Sequence, residues 1–298
     1  MSLAVLDLFS GIGGFSLGLQ RAGGYHTVGF CENDRTSCKV LAKHWPDLPI
    51  LGDVRDTAAL AEIKADVLTG GFPCQDISIA GKNAGGIDGE KSGLWAAYRD
   101  AIDAVRPRFA IVENVFALRS RGLYRVLGDL ACIGYDAAYT LFDSQYFGTP
   151  QARRRVYIVA VRDGIPFGTD LFDCAGRSGP YASRWVKDYA KRRRSHFEEV
   201  EGERKSPAYF ARKRSDHFVS SAVSGTIAKR DYKSYTDLVV HPDNTIRRVM
   251  PPERMRLQGF PADWLDGLDL SFAQQFRLNG MSVPVVQHIG ELIHEKLV

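Results

Sequence analysis

Long hydrophobic runs are missing from this 298-residue chain. In its second half the longest one is Val156-Tyr157-Ile158-Val159-Ala160-Val161. That is far short of the roughly 20 residues a membrane-spanning helix needs, so a membrane span is not expected. Paired cysteines are missing too. The five cysteines show no CxxC spacing, which argues against a disulfide framework and against a zinc or other metal site. Met1-Ser2-Leu3-Ala4 has no basic flank and runs directly into an apolar stretch ending at Asp7, so no signal peptide is read there. Internal repeats and low-complexity tracts are absent. What is present is 45% hydrophobic and 25% charged residues. Such a chain is too apolar for general disorder and long enough for one large domain or two modest ones. A soluble, cytoplasmic protein is expected.

A strong charge imbalance is also lacking: 39 Lys and Arg stand against 35 Asp and Glu, a net charge of +4. Its location says more than its size. Residues 164–245 hold 15 basic and 11 acidic residues, and the rest of the chain holds 24 of each. All the surplus therefore lies in one internal segment of 82 residues. It contains Lys191-Arg192-Arg193-Arg194, interleaved with aromatics such as Trp185, Tyr189, Phe197 and Tyr209. Basic groups among aromatics suit contact with phosphates and bases, and equally make an ordinary solvated face.

The first 163 residues alternate short apolar runs with amphipathic ones. Strands are expected at 5–9, 27–31, 66–69, 109–112, 135–142 and 156–161. Helices are expected at 15–22, 35–44, 94–105 and 122–133, and a last one at 284–296. This βαβα order predicts a parallel sheet covered by helices, a Rossmann-like α/β fold that binds ligands beyond the carboxyl ends of its strands. Residues 164–245 lack helical periodicity and read as a small, irregular domain. The expected domains are 1–163 with 246–298, and 164–245.

Residues just past the strand ends are where chemistry is sought. After the first strand, Phe9-Ser10-Gly11-Ile12-Gly13-Gly14 forms a glycine-rich turn into a helix, which brings backbone N–H groups close to a ligand. It serves equally well as a tight βα turn. Glu32 after the second strand suits ribose hydroxyls, and Asp53 suits the exocyclic amine of adenine. These residues point to adenosine without separating a nicotinamide dinucleotide from S-adenosylmethionine. The third strand leads into Gly70-Gly71-Phe72-Pro73-Cys74-Gln75, an exposed position for a thiol whose neighbouring N–H groups favour thiolate. The other cysteines read as small core residues. Next comes a glycine-rich stretch with Lys82 and Lys91, suited to close over a phosphate-bearing substrate. The fourth strand ends in Glu113-Asn114-Val115, which places a carboxyl beside the same cleft.

Together with Gln151-Ala152-Arg153-Arg154-Arg155 and Arg256-Leu257-Gln258-Gly259-Phe260-Pro261, these strings occur in an order that resembles the DNA (cytosine-5)-methyltransferases of bacterial or phage type. The resemblance covers nearly the whole chain outside 164–245, the region that serves in the family as the target recognition domain. It implies methyl transfer from S-adenosylmethionine to carbon 5 of a flipped-out cytosine in duplex DNA. By the same resemblance Cys74 is the nucleophile at carbon 6, Glu113 relieves charge at N3, and Arg153 and Arg155 hold the base carbonyl and the carboxyl. Phe9, Gly11, Gly13, Gly14, Glu32, Asp53, Phe72, Leu94 and Ser282 would line the cofactor site. Pro73, Gln75, Lys82, Gln151 and residues Lys191, Arg192, Arg193 and Arg194 would meet DNA. Two positions depart from the family: Met281 replaces an amide in Gly280-Met281-Ser282-Val283, and Met250 stands where Thr is common. Asn279, and Arg247 or Arg248, are the expected substitutes. A monomer is expected, and the sequence leaves open whether it works alone or beside a cognate restriction nuclease. The rival readings are a tRNA cytosine-5 methyltransferase and a catalytically silent DNA-binding protein.

Overall fold

A computed structural model describes residues 2–73, 94–165, 169–172, 209–214, 217–227, 231, 237–241, 243 and 245–297. The chain forms two compact units. One comprises Met1–Phe142, Arg154–Asp173 and Val286–Val298, and the other Asp143–Arg153 and Cys174–Val285.

The first unit is built on a seven-stranded sheet. Its strands are β1 (Leu3–Leu8), β2 (Tyr25–Cys31), β3 (Ile50–Leu51), β4 (Val67–Gly71), β5 (Phe109–Val115), β6 (Tyr135–Asp143) and β7 (Arg154–Arg162), in the order β3-β2-β1-β4-β5-β7-β6. The helices between them are α1 (Gly14–Ala22), α2 (Arg35–His44), α3 (Thr57–Glu62), α4 (Leu94–Val105), α5 (Leu118–Arg121) and α6 (Leu123–Cys132). Five of the six residues of β1 are buried, as a central strand covered on both faces requires. Helix α2 starts where Asp34 accepts from the Ser37 N–H at 2.8 Å, a side-chain cap that satisfies one orphan donor. Leu6, Leu8, Leu68, Val112 and Ile158 of the sheet share a core with Trp95, Tyr98 and Ile102 of α4 and Val126 and Leu130 of α6.

The sheet departs from the expected all-parallel arrangement at one edge. The pairs among β1 to β5 are parallel, but β7 runs antiparallel to β5. The chain passes from β6 to β7 without a crossover helix, and a parallel strand needs one. Strand β3 and helix α3 are too short to leave a periodic pattern in the sequence. The helix expected over 122–133 is α6, and one further helical turn, α5, precedes it, with Gly122 between the two. Of the cysteines expected in the core, Cys31 is buried, Cys38 half-buried and Cys132 exposed; Cys174 lies outside the described residues.

The second unit holds a four-stranded antiparallel sheet, β8 (Tyr209–Arg214), β9 (His217–Ser221), β10 (Asp237–Val240) and β11 (Ile246–Arg248), in the order β11-β10-β8-β9. The segment expected to be irregular thus contains strands. Lys and Arg in Arg212-Lys213-Arg214 hid them, because the apolar alternation that marks a strand is broken there. Helices α7 (Pro251–Leu257) and α8 (Phe272–Arg277) follow, and α9 (Val283–Leu297) carries the chain back into the first unit. Ile227, Val239, Val249 and Leu257 form a small core. This compact unit is wider than 164–245. Residues 143–153 join it because Gln151 bridges Ser224, the Ala152 N–H donates to the Ser224 carbonyl at 2.8 Å, and the Ser224 N–H donates to the Pro150 carbonyl at 2.8 Å.

Candidate active site

The ends of β1 to β5 of the first unit carry the residues singled out in the sequence. After β1 the backbone turns sharply. Phe9 sits at φ 50°, an uncommon conformation for a bulky side chain. Gly13, at φ 83°, has no room for a side chain, since a Cβ there would lie 2.5 Å from the Trp45 ring. Below the turn Asp7 is fully buried. Its carboxyl accepts from Thr69 Oγ1 at 2.9 Å and from Ser16 Oγ at 3.0 Å. Burial pushes its pKa from the ordinary 3.8 up to about 7, against those hydrogen bonds.

Glu32, at the end of β2, reaches back to this turn. One oxygen accepts from the Gly11 N–H at 2.7 Å, and the other accepts from Asn33 N at 2.9 Å and Asp34 N at 2.8 Å. The turn and the carboxylate expected to hold a nucleotide are therefore one hydrogen-bonded assembly. Asp53 lies beyond β3 on an exposed loop, 3.6 Å from Arg55. Phe72 is almost wholly buried against Trp95, Phe9 meets the edge of Tyr98, and Leu94 packs on the same core.

The second group of residues lies where β4 and β5 end together. Gly71 is the register partner of Glu113, and Pro73 is the last described residue before Cys74. Glu113 is 7% exposed and sits 3.1 Å from Arg155 Nε. Strand pairing explains this contact. Val115 faces Arg155 and Glu113 faces Tyr157 across β5 and β7, so Glu113 and Arg155 are diagonal neighbours on one face. Asn114, on the other face, donates from Nδ2 to the Phe72 carbonyl at 3.0 Å and accepts from the Val115 N–H at 2.8 Å. It ties the carboxylate's strand to the residue preceding Pro73-Cys74. Sequence reading quoted Asn114 without giving it a role. A buried amide one residue from a candidate acid was the available signal. Cys74, Gln75, Lys82, Lys191, Arg192, Arg193 and Arg194 lie outside the described residues.

The second unit positions its own candidates. Asp143 accepts from the Arg153 N–H at 2.9 Å, and the Arg153 carbonyl accepts from Ser144 N at 3.1 Å. Gln151 is fully buried, and neither polar atom of its side-chain amide has a hydrogen-bond partner among the described residues. The Ser282 hydroxyl is in the same condition at 1% exposure. Gln258 holds the loop around Ser282: its Oε1 accepts from Gly280 N at 2.7 Å and its carbonyl accepts from Val283 N at 2.9 Å. Asn279 adds a bond to the Ile227 carbonyl at 3.1 Å, so this loop is fixed without the amide that Met281 replaces. Arg247, rather than Arg248, forks onto Glu253 with two contacts of 2.7 Å. Glu253 in turn accepts from the Met250 N–H at 2.8 Å, the half of a capping box that the third helical residue supplies whatever side chain stands at the cap.

The sequence matches the family described as C-5 cytosine-specific DNA methylase over residues 3–295. The chain belongs to this family. It is 33% identical to the Type II methyltransferase M2.BsuMI of Bacillus subtilis (strain 168), over 97% of this chain and 75% of that protein. It is 30% identical to the Type II methyltransferase M.NgoBI of Neisseria gonorrhoeae, over 95% of this chain and 90% of that protein. Among solved structures, Entamoeba histolytica methyltransferase EhMeth superposes with a TM-score of 0.71 at 15% identity, covering 100% of this chain and 99% of that one. S. pombe Dnmt2 methyltransferase also gives 0.71, at 17% identity, covering 98% and 99%. At that identity these two establish the fold. Family membership makes the chain a DNA (cytosine-5)-methyltransferase that uses S-adenosylmethionine as methyl donor, and it sets aside the silent-regulator and tRNA readings. No helix among the described residues is long and apolar enough to cross a membrane.

Proposed function

We propose that Cys74 and Glu113 carry out cytosine-C5 methylation through a covalent adduct on a base turned out of duplex DNA. The observation that carries this reading is the register of Gly71 with Glu113, locked by the Asn114 bond to the Phe72 carbonyl. It leads the chain to Cys74 from a point paired with the acid.

The Cys74 thiolate adds to C6, and the ring electrons shift toward N3, where Glu113 donates a hydrogen bond or proton. Arg155 holds the Glu113 carboxyl, and Arg153 takes the base carbonyl. Addition makes C5 nucleophilic, so that it takes up a methyl group. Loss of the C5 proton and expulsion of Cys74 then restore the aromatic ring. S-adenosylmethionine supplies the electrophilic methyl of a sulfonium. The chain's residues fit that group: Gly11, Gly13 and Gly14 leave backbone bare at a helix start, and Glu32 is aimed at the turn. A stacked base exposes neither C6 nor N3 to such groups, which is why flipping belongs to the reading.

Residues 164–245, with Lys191, Arg192, Arg193 and Arg194, are assigned to target recognition, and Gln75, Lys82 and Gln151 to contacts with the flipped nucleotide's surroundings. The enzyme is read as a cytoplasmic monomer in a bacterial or phage-infected cell, working either alone or beside a restriction nuclease of the same specificity. Duplex DNA carrying 5-fluorocytosine tests the mechanism, because fluorine does not leave as a proton does. A denaturation-resistant protein–DNA adduct is expected, and Cys74→Ala is expected to form none. An adduct that persists in Cys74→Ala, or none with the wild type on DNA it methylates, overturns the assignment.

A further inference from the structure

A feature three residues past Glu113 has no part in the chemistry above. Phe116 carries two guanidiniums on its ring: Arg119 at 5.2 Å and Arg154 at 4.4 Å from the centroid. All three belong to the first unit. Strand alternation produces the arrangement. Arg155 points to the Glu113 face of β7, so Arg154 turns to the opposite one. The turn after β5 then brings Arg119 back, its N–H donating to the Phe116 carbonyl at 3.2 Å.

Among the described residues the charges on this ring are uncompensated. Arg99, Arg106, Arg125 and Arg155 of the same unit each have a carboxylate within ion-pair distance. Arg119 and Arg154, both exposed, have none among the described residues. Two like charges on one ring repel each other, while an exposed cation–π contact is weak. What such stacking does provide is orientation. A guanidinium laid against a ring is held with its N–H edges outward, and that edge matches the fork of a phosphate. An anion on each guanidinium also offsets the repulsion.

We infer that Arg119 and Arg154, stacked on Phe116, form a clamp for two backbone phosphates of the DNA strand beside the target cytosine. The inference rests on the methylation reading, since it is the position next to Glu113 that makes the bound strand the one holding the target. Each neutralised phosphate contributes about 0.9 to the slope of log affinity against log salt. Binding of a mixed-sequence 30-base-pair duplex, titrated over salt concentration, is therefore the test. The Arg119→Gln/Arg154→Gln variant is expected to lower the slope's magnitude by about 2, and each single variant by about 1. Arg119→Lys/Arg154→Lys keeps the slope while raising Kd several-fold, and Phe116→Leu does the same, because charge is retained and orientation lost. Lys64→Gln, an exposed control, leaves both slope and Kd unchanged. A wild-type slope in the double Gln variant and both single variants overturns the clamp. In that case wild-type methyl incorporation into the duplex is unaffected and the mechanism stands; a wild type that neither binds nor methylates duplex DNA overturns the methylation reading instead.

Discussion

At the scale of single residues, burial decides which titratable groups are reactive. Cys31 is enclosed at the end of β2, and burial, with Glu32 and Asp53 nearby, pushes its thiol up to about 12. It is a protonated bystander at neutral pH. Asp7 shows the same physics in a carboxyl. Its folded-state pKa of about 7 lies above the ordinary 3.8, so between those values the folded protein binds more protons than the unfolded one. The stabilisation is complete below about 4 and is lost as pH rises through 7. Thermal unfolding is expected to show a midpoint that falls from pH 5 to pH 8, and Asp7→Asn is expected to flatten that fall. A wild-type midpoint that rises over this interval contradicts the assignment. Asn114 belongs to this scale as well. With both ends of its amide engaged, it converts a place in a motif into a fixed distance between two strands.

At the scale of elements, the second unit depends on a buried ion pair that sequence reading did not anticipate. Arg254 of α7 lies 3.1 Å from Asp231, donates to the Phe276 carbonyl at 3.0 Å, and stacks over the Phe276 ring at 4.9 Å. Both charged side chains are more than nine-tenths buried. Burial lowers the Arg254 pKa, and Asp231 opposes that shift. Removing one partner leaves a buried charge alone, at a cost of about 3–5 kcal/mol, whereas an apolar pair of similar volume is close to neutral. In urea unfolding of the full chain, Arg254→Ala is therefore expected to lower the midpoint sharply. Arg254→Met/Asp231→Leu is expected to recover most of the loss. Equal losses in the two variants would show that the pair's neighbours, not its charges, set the cost. The sequence hid this pair because Asp231 and Arg254 lie 23 positions apart with no periodic relation. Helix α4, by contrast, spans the residues its 3.6-residue pattern predicts, since nothing but local amphipathicity is needed to define it.

At the scale of the whole molecule, charge is segregated along the chain. The balanced 24 and 24 outside residues 164–245 and the surplus within them favour DNA contact by the segment proposed for recognition over contact everywhere. Reversing Lys191–Arg194 to Glu is expected to weaken duplex binding and reduce its salt dependence by several units of slope. Unchanged slopes would make the cluster a solvated face. The two compact units cut the chain differently from its charge. Residues 143–153 leave the sheet of the first unit to pair with Ser224 and neighbours, taking Gln151 and Arg153 with them.

Sequence by itself determined the longer strands and helices of the first 163 residues, though not the short β3, α3 and α5, and the motif residues with the chemistry they imply, because each is written in adjacent or regularly spaced positions. It could not determine the antiparallel turn of β7, the sheet within the basic segment, or the small structural pairs: Asn114 with Phe72, Arg247 with Glu253, Arg254 with Asp231, and Arg119 and Arg154 on one ring. Those depend on which strand lies beside which and on which face a side chain leaves. Only the folded chain sets such relations, since hydrogen bonding and burial are satisfied there between residues far apart in sequence.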